Sequence, residues 1–113
     1  IKSNEILFIN FEFGIYSLGE RIPNNNNMNT ISTKERIENI IQMAKWSDEA
    51  GLDVFGIGEH HRLDFVTSSY AMILAAIARE TKNIELTSTL SVISTGDPVR
   101  VYEDFSTLDF LSN

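Results

Sequence analysis

The two histidines of the chain stand together in Glu59-His60-His61-Arg62, beside a carboxylate and a guanidinium. A neutral imidazole, with an ordinary pKa of about 6.5, suits proton transfer or a hydrogen bond to a ligand. Adjacent residues of an extended segment point to opposite sides, so one ring can face a pocket while the other packs elsewhere or meets solvent. That geometry argues against both rings chelating one metal, and the ligand number of a metal hydrolase is not visible in the sequence. Two readings stand open: a catalytic or ligand-binding segment, or a polar strand end in which Glu59, His60 and His61 tie down a loop. Arg62 has a similar choice between an anionic ligand and a structural ion pair with Glu59 or Asp64.

Thr87 and Thr89 form a second candidate. If Leu86 and Leu90 pack against helices, these threonines face the other way, where small polar side chains leave room for a planar ligand. A sheet interior that simply uses threonine fits the pattern equally. Other chemistries are excluded. Gly56-x-Gly58 lies inside a strand and lacks the third glycine and helix start of a dinucleotide fingerprint, and no glycine-rich loop ends in Lys-Ser or Lys-Thr. The absence of cysteine removes disulfides, thiolate metal sites and cysteine nucleophiles.

The elements that must position these residues follow from periodicity. The run from Ile6 to Phe13 reads as a nearly continuous apolar strand covered on both faces, followed by Gly14 and a long loop through Pro23 and the tract Asn24-Asn25-Asn26-Asn27. That tract cannot bury apolar surface, and mobility is expected there. Ser32-Thr33-Lys34-Glu35 has capping-box spacing. Ile37, Ile40, Ile41 and Ala44 then form the apolar stripe of a first helix, and Gly51 suits its C-terminal end. Asp53 to Gly58 reads as a second buried strand that delivers Glu59-His60-His61. A second helix, from about Ser69 to Glu80, is apolar nearly all round and needs cover on more than one side. Its Ala71, Ala75 and Ala78, with Ala76 beside them, would admit a close helix from the same chain or from another subunit. A third strand over Ile84–Ile93 places Ile84, Leu86, Leu90 and Val92 on one face and Thr87, Thr89 and Ser91 on the other. Asp97-Pro98 opens a third helix, with Val101, Tyr102, Phe105, Leu108 and Leu111 as its buried stripe.

The order βαβαβα predicts an α/β fold with parallel strands and right-handed crossovers. Both a doubly wound sheet and the first three units of a (β/α)8 barrel have this order, and both gather functional groups at the C-terminal ends of the strands. With 113 residues, the chain is long enough for a single domain with its own core, spanning residues 1–113, and well short of a large enzyme barrel. A hydrophobic content of 42% and a charged content of 22% are those of a globular protein. A formal charge of −7, with nine scattered basic residues, argues against nucleic acid as a partner. No apolar run is long enough to cross a membrane, and the N-terminal residues lack the order of a signal peptide, so cytoplasm is the expected location. Ile1 is not an initiator methionine, which predicts that some N-terminal residues have been removed.

Three blocks carry a family resemblance: Ala50-Gly51-Leu52-Asp53, Gly58-Glu59-His60-His61-Arg62, and Ser94-Thr95-Gly96-Asp97-Pro98-Val99-Arg100-Val101-Tyr102-Glu103-Asp104-Phe105. They closely resemble segments of bacterial-luciferase-like monooxygenases, and Leu108 to Asn113 resembles the stretch that in the family runs on into Gly-Arg. The resemblance implies the barrel alternative, the first three βα units of a (β/α)8 TIM barrel. It also implies a flavin-dependent monooxygenase that uses reduced FMN and O2 on a small organic substrate, with a deazaflavin as the lesser cofactor alternative. His60 takes the place of the family's catalytic histidine. Glu59 and His61 are neighbouring candidates for the cofactor site, and Thr87, Thr89 and Leu90 lie on the strand that presents backbone to the flavin ring. That presentation sometimes involves a non-proline cis peptide, which would fall at Thr89-Leu90. Family members commonly dimerise through the helices equivalent to the second and third here, so a homo-oligomer is expected. Luciferase itself has a histidine where this chain has Asp97, so the resemblance is to the wider family. The flavin phosphate is held in the family by later loops, so this chain alone is expected to bind flavin weakly or not at all and to be inactive. The alternative is a non-catalytic fragment that self-associates to cover its open edges.

Overall fold

A computed structural model describes residues 11–23 and 29–112 of the chain. Val54-Phe55-Gly56-Ile57-Gly58 is almost wholly buried, which demands backbone partners on both sides. It has them: as β2 (Val54–Gly58) it lies between β1 (Gly14–Ser17) and β3 (Glu85–Leu90) in a three-stranded parallel sheet of order β1-β2-β3. The crossovers are α1 (Thr33–Glu49) and α2 (Tyr70–Glu80), and α3 (Pro98–Ser112) follows β3. The described chain is thus an α/β unit of three strands and three helices.

Local chemistry sets the helix ends. Ser32 Oγ accepts the Glu35 N–H at 3.1 Å, the expected N-terminal cap of α1. Gly51, at φ +77°, ends that helix in a conformation that a side chain disfavours. Asp97 Oδ1 accepts the Val99 N–H at 2.9 Å and opens α3 as expected. Phe55 and Ile57 of β2 point to one face and are fully buried against Ile40 and Ala44 of α1, Ile73, Leu74 and Ile77 of α2, and Leu108 of α3. Helix α2 is covered on both flanks, as its all-round apolarity requires. Lys45 of α1 bonds Glu80 at 2.9 Å, while Arg79 reaches the Leu111 carbonyl of α3 at 3.4 Å. Ala78 is buried, and Ala71 and Ala75 are half-buried against the same core.

Three expectations are corrected. The first strand, expected over Ile6–Phe13, is observed among the described residues over Gly14–Ser17. Residues Ile6 to Asn10 lie outside the described residues, as does the asparagine tract Asn24–Asn27. Phe11, Glu12 and Phe13 are exposed and precede the strand, which starts at Gly14. Register is the reason. Strand β2 begins at Val54, whose partner is Gly14, and the Asp53 and Val54 N–H groups close the ladder on the Phe13 carbonyl at 2.8 and 3.3 Å. A Cβ on Gly14 would come within 2.4 Å of the Val54 carbonyl oxygen, so this approach of strands requires glycine.

The third strand ends at Leu90, not Ile93, and it is bulged. Ser88 pairs with Ile57, but Leu90 pairs with Gly58, leaving Thr89 without a partner. The bulge breaks the expected alternation: Leu86 packs on the core, whereas Leu90 is 56% exposed. All peptide bonds of the described residues are trans, so the irregularity at Thr89–Leu90 is this bulge and not a cis bond. Finally, Tyr102 of α3 is exposed and does not belong to the buried stripe, which consists of Leu108 with Phe105 and Leu111 partly packed beside it.

Candidate active site

All three helices cover the same side of the sheet. The opposite side holds Gly56 and Gly58 of β2 with Thr87 and Thr89 of β3. A Cβ on Gly56 would meet the Thr89 methyl at 2.5 Å and the Thr87 methyl at 3.4 Å, and a Cβ on Gly58 would lie 3.2 Å from Thr89 Oγ1. The two threonines therefore share one face with the two glycines, as their alternation with Leu86 predicts. His60 belongs to this face too, its Cε1 3.6 Å from the Cβ position of Gly58.

The imidazole of His60 stacks on Phe65, with ring centroids 4.4 Å apart and planes 17° from parallel. Its Nδ1 is buried without a hydrogen-bond partner in the protein. Phe65 is itself held by a bridge between two strand-end loops. Glu20 and Phe65 pair antiparallel, the Val66 N–H donates to the Gly19 carbonyl at 2.9 Å, and the Arg21 N–H donates to the Asp64 carbonyl at 2.8 Å. Thr67, fully buried, donates to the Leu18 carbonyl at 2.8 Å. These bonds knit the segment after β1 to the segment after β2 and fix the surface on which His60 lies.

His61 diverges from His60 as adjacent residues should. Its Nε2–H donates to Glu59 Oε1 at 2.6 Å, and its side chain is largely exposed. The other Glu59 oxygen accepts the Val92 N–H at 2.7 Å. Burial opposes the charge on Glu59, but the bonds from Val92 and His61 outweigh it and hold the carboxyl below its ordinary range. The Glu59 N–H also donates to the Leu90 carbonyl at 3.1 Å. Arg62 takes the ion-pair alternative, bonding both Asp64 oxygens at 3.0 and 2.9 Å, with its guanidinium 5.7 Å from the Phe65 ring centre. Among the described residues, no three His, Asp or Glu side chains gather to hold a metal.

The structure therefore brings Glu59, His60, His61, Thr87, Thr89 and Leu90 to one end of β2 and β3. Sequence reasoning missed Phe65 and the chain Tyr70–Ser91–Ser88. The Tyr70 hydroxyl lies 2.6 Å from Ser91 Oγ, which donates to Ser88 Oγ at 2.8 Å. An aromatic residue five positions beyond His60 was the available signal for the first. The second joins residues 21 apart and left no local trace.

Comparison with known proteins bears on this arrangement. A family model described as luciferase-like monooxygenase matches residues 11–113, a span that begins close to β1 as observed. No curated protein matches the chain. Among solved structures it is similar to apo-MsnO8, with 24% identity and a TM-score of 0.77 over 89% of this chain and 29% of that one. It is similar also to the oxygenating constituent of 3,6-diketocamphane monooxygenase from Pseudomonas putida, a type II Baeyer-Villiger monooxygenase in complex with FMN. There the identity is 20% and the TM-score 0.76, over 89% of this chain and 26% of that one. The monooxygenase RslO1 from Streptomyces bottropensis matches with 21% identity and a TM-score of 0.76, over 90% of this chain and 30% of that one. The chain thus spans less than a third of the length of each of these structures.

Proposed function

The chain belongs to the luciferase-like monooxygenase family, and from that premise we propose that it is the N-terminal part of an FMN-dependent monooxygenase, the first three βα units of a (β/α)8 barrel. The observation that carries the reading is the helix-free face of the sheet: His60 stands beside Gly58, on the face that also carries Gly56, Thr87 and Thr89, with its buried Nδ1 unpartnered. A planar ring suits this face, because no helix covers it, because positions 56, 58, 87 and 89 carry only glycine and threonine, and because an orphaned imidazole nitrogen can be satisfied by a ligand. Reduced FMN, when bound, supplies the electrons that activate O2 for transfer of one oxygen atom to a small organic substrate.

The residues have distinct tasks in this reading. His60 is the catalytic residue, oriented by Phe65 and placed to exchange a proton or hydrogen bond with the reacting ring. Thr87, Thr89 and Leu90 form the surface against which the ring lies, and Glu59 and His61 border it. Barrels generally hold phosphate with their last units, and the chain spans less than a third of the length of its structural neighbours. The chain alone is accordingly proposed to bind flavin weakly and to be inactive by itself. The test is turnover of reduced FMN and O2 by the full-length monooxygenase of which this chain is proposed to be the N-terminal part, and by its His60→Ala variant. Loss of product with unchanged circular dichroism is expected, and full turnover by the variant would remove His60 from the role.

A second reading is a non-catalytic module that pairs with another copy. Strands β1 and β3 each have one edge without a sheet partner among the described residues, and Phe11, Phe13 and Tyr16 are exposed near β1. Exposed Met72, Tyr102 and Phe110 on α2 and α3 offer a route to a homo-oligomer through those helices. Sedimentation separates the two: a monodisperse monomer of ordinary stability would exclude self-association as the function.

A further inference from the structure

We infer that Glu59 is a positioning residue: together with Tyr70 it clamps Ser91–Val92 and so fixes where the bulged Thr89 sits beside His60. Its functional meaning rests on the flavin reading of this face, whereas the clamp itself can be tested without flavin.

A bulge leaves one residue outside the ladder and free to shift. Beyond Ile57 the regular pairing of β2 with β3 fails, and only Gly58 and Leu90 remain opposite each other. Glu59 takes over at that point. Its backbone N–H donates to the Leu90 carbonyl at 3.1 Å, and its carboxylate accepts the Val92 N–H at 2.7 Å. One residue thus grips both ends of a three-residue stretch. Its second oxygen is engaged by His61 at 2.6 Å, and the side chain is only 13% exposed. The carboxylate is therefore committed to the protein and not presented to a ligand.

The grip is matched from the helix side. Ser91 gives its proton to Ser88 Oγ at 2.8 Å, so the hydroxyl of buried Tyr70, 2.6 Å away, is the donor to Ser91 Oγ. Tyr70 is the first residue of α2, and Glu59 immediately follows β2. The segment after the bulge is pinned from a helix and from the neighbouring strand at once. Because His60 directly follows Glu59, the residue that holds Val92 also sets the backbone from which the catalytic ring projects.

The test is amide hydrogen exchange at Val92, with the Thr89 methyl resonance as a second readout, in the protein and three variants. Glu59→Ala should accelerate Val92 exchange by about tenfold or more and move the Thr89 methyl signal, since it removes a charge-assisted bond. Glu59→Gln keeps an oxygen that can accept from Val92, so exchange should stay within about twofold and the methyl signal should return. Tyr70→Phe should accelerate exchange at Ser91 and Val92 while leaving the Glu59 bond in place. If Glu59→Ala does not fold, near-normal Glu59→Gln beside an accelerated Tyr70→Phe still supports the clamp. Unchanged Val92 exchange in Tyr70→Phe and Glu59→Ala would overturn it. So would a Glu59→Gln variant that loses affinity for added oxidised FMN with Val92 exchange unmoved, for then the carboxylate touches the ligand. FMN binding by the unmodified chain, proposed to be weak, bears on the flavin reading alone, and Val92 exchange decides the clamp whichever way it falls.

Discussion

The Cγ2 methyl of Thr89 occupies the space that a side chain at Gly56 would need, coming within 2.5 Å of a Cβ built there. The bare backbone of β2 and the bulge of β3 are therefore two halves of one packing solution. Gly56→Ala is expected to destabilise the fold by roughly 1–3 kcal/mol through overpacking. Because the conflict lies with one methyl group, adding Thr89→Ser should recover a good part of the loss. Denaturant unfolding of the two single variants and the double variant measures this, and strictly additive effects would show that the two residues do not compete for space.

Gly14 meets a harder obstacle, since its would-be Cβ lies 2.4 Å from the Val54 carbonyl oxygen, a backbone atom fixed in the ladder. Gly51 has nothing within 4 Å and only its φ of +77° to protect. Gly14→Ala should consequently cost more than Gly51→Ala, for which roughly 1–2 kcal/mol of left-handed strain is expected. Equal unfolding midpoints for the two variants would refute the proposed register of β1.

Asp48 contributes to acid behaviour. Its Oδ2 accepts the Lys82 N–H at 2.8 Å, and its Oδ1 accepts those of Asn83 and Ile84 at 3.0 and 2.9 Å. Burial raises the carboxyl's pKa, but these three bonds and the Lys82 charge prevail and take it below its ordinary value of 3.8. A depressed folded pKa means that the stabilisation is fully present above 3.8 and is lost as pH falls through the lower folded value. Asp48→Asn should thus lower stability near neutral pH by roughly 1–2 kcal/mol, allowing for solvent screening. Its stability should also fall less than that of the unmodified chain on acidification. Unfolding curves at neutral and strongly acid pH check the sign.

Phe65 should matter to His60 beyond its own burial. Their rings stack at 4.4 Å, and such aromatic pairs contribute roughly 0.5–1.5 kcal/mol over the area they cover. Phe65→Leu preserves apolar bulk and removes the stacking, so the His60 ring proton resonances should move while those of His61 stay. A double-mutant cycle with His60→Ala should return a coupling of that size, and a coupling of zero would deny the contact an orienting role.

What could be read in advance follows the range over which each feature is determined. The α1 cap needs only Ser32 and Glu35, and the divergence of His60 and His61 needs only strand alternation, so both were legible. The start of β1 at Gly14 was not legible because apolar density favours Ile6–Phe13, whereas pairing depends on where β2 begins, some forty residues later. The bulge was invisible for the same reason, since it exists only in the register of β3 against β2. Glu59 drew notice as a polar strand end, but its bond to Val92 spans 33 residues, and no local pattern announces it.

The knitted loops after β1 and β2 limit how this scaffold can be remade. Leu18, Gly19 and Arg21 exchange hydrogen bonds with Thr67, Val66 and Asp64, and a Cβ on Gly19 would collide with the Thr67 side chain. Neither loop is a separable cassette. Transplanting one from a relative would strand donors and acceptors in the other and unseat Phe65, so variation at this rim must be inherited in pairs.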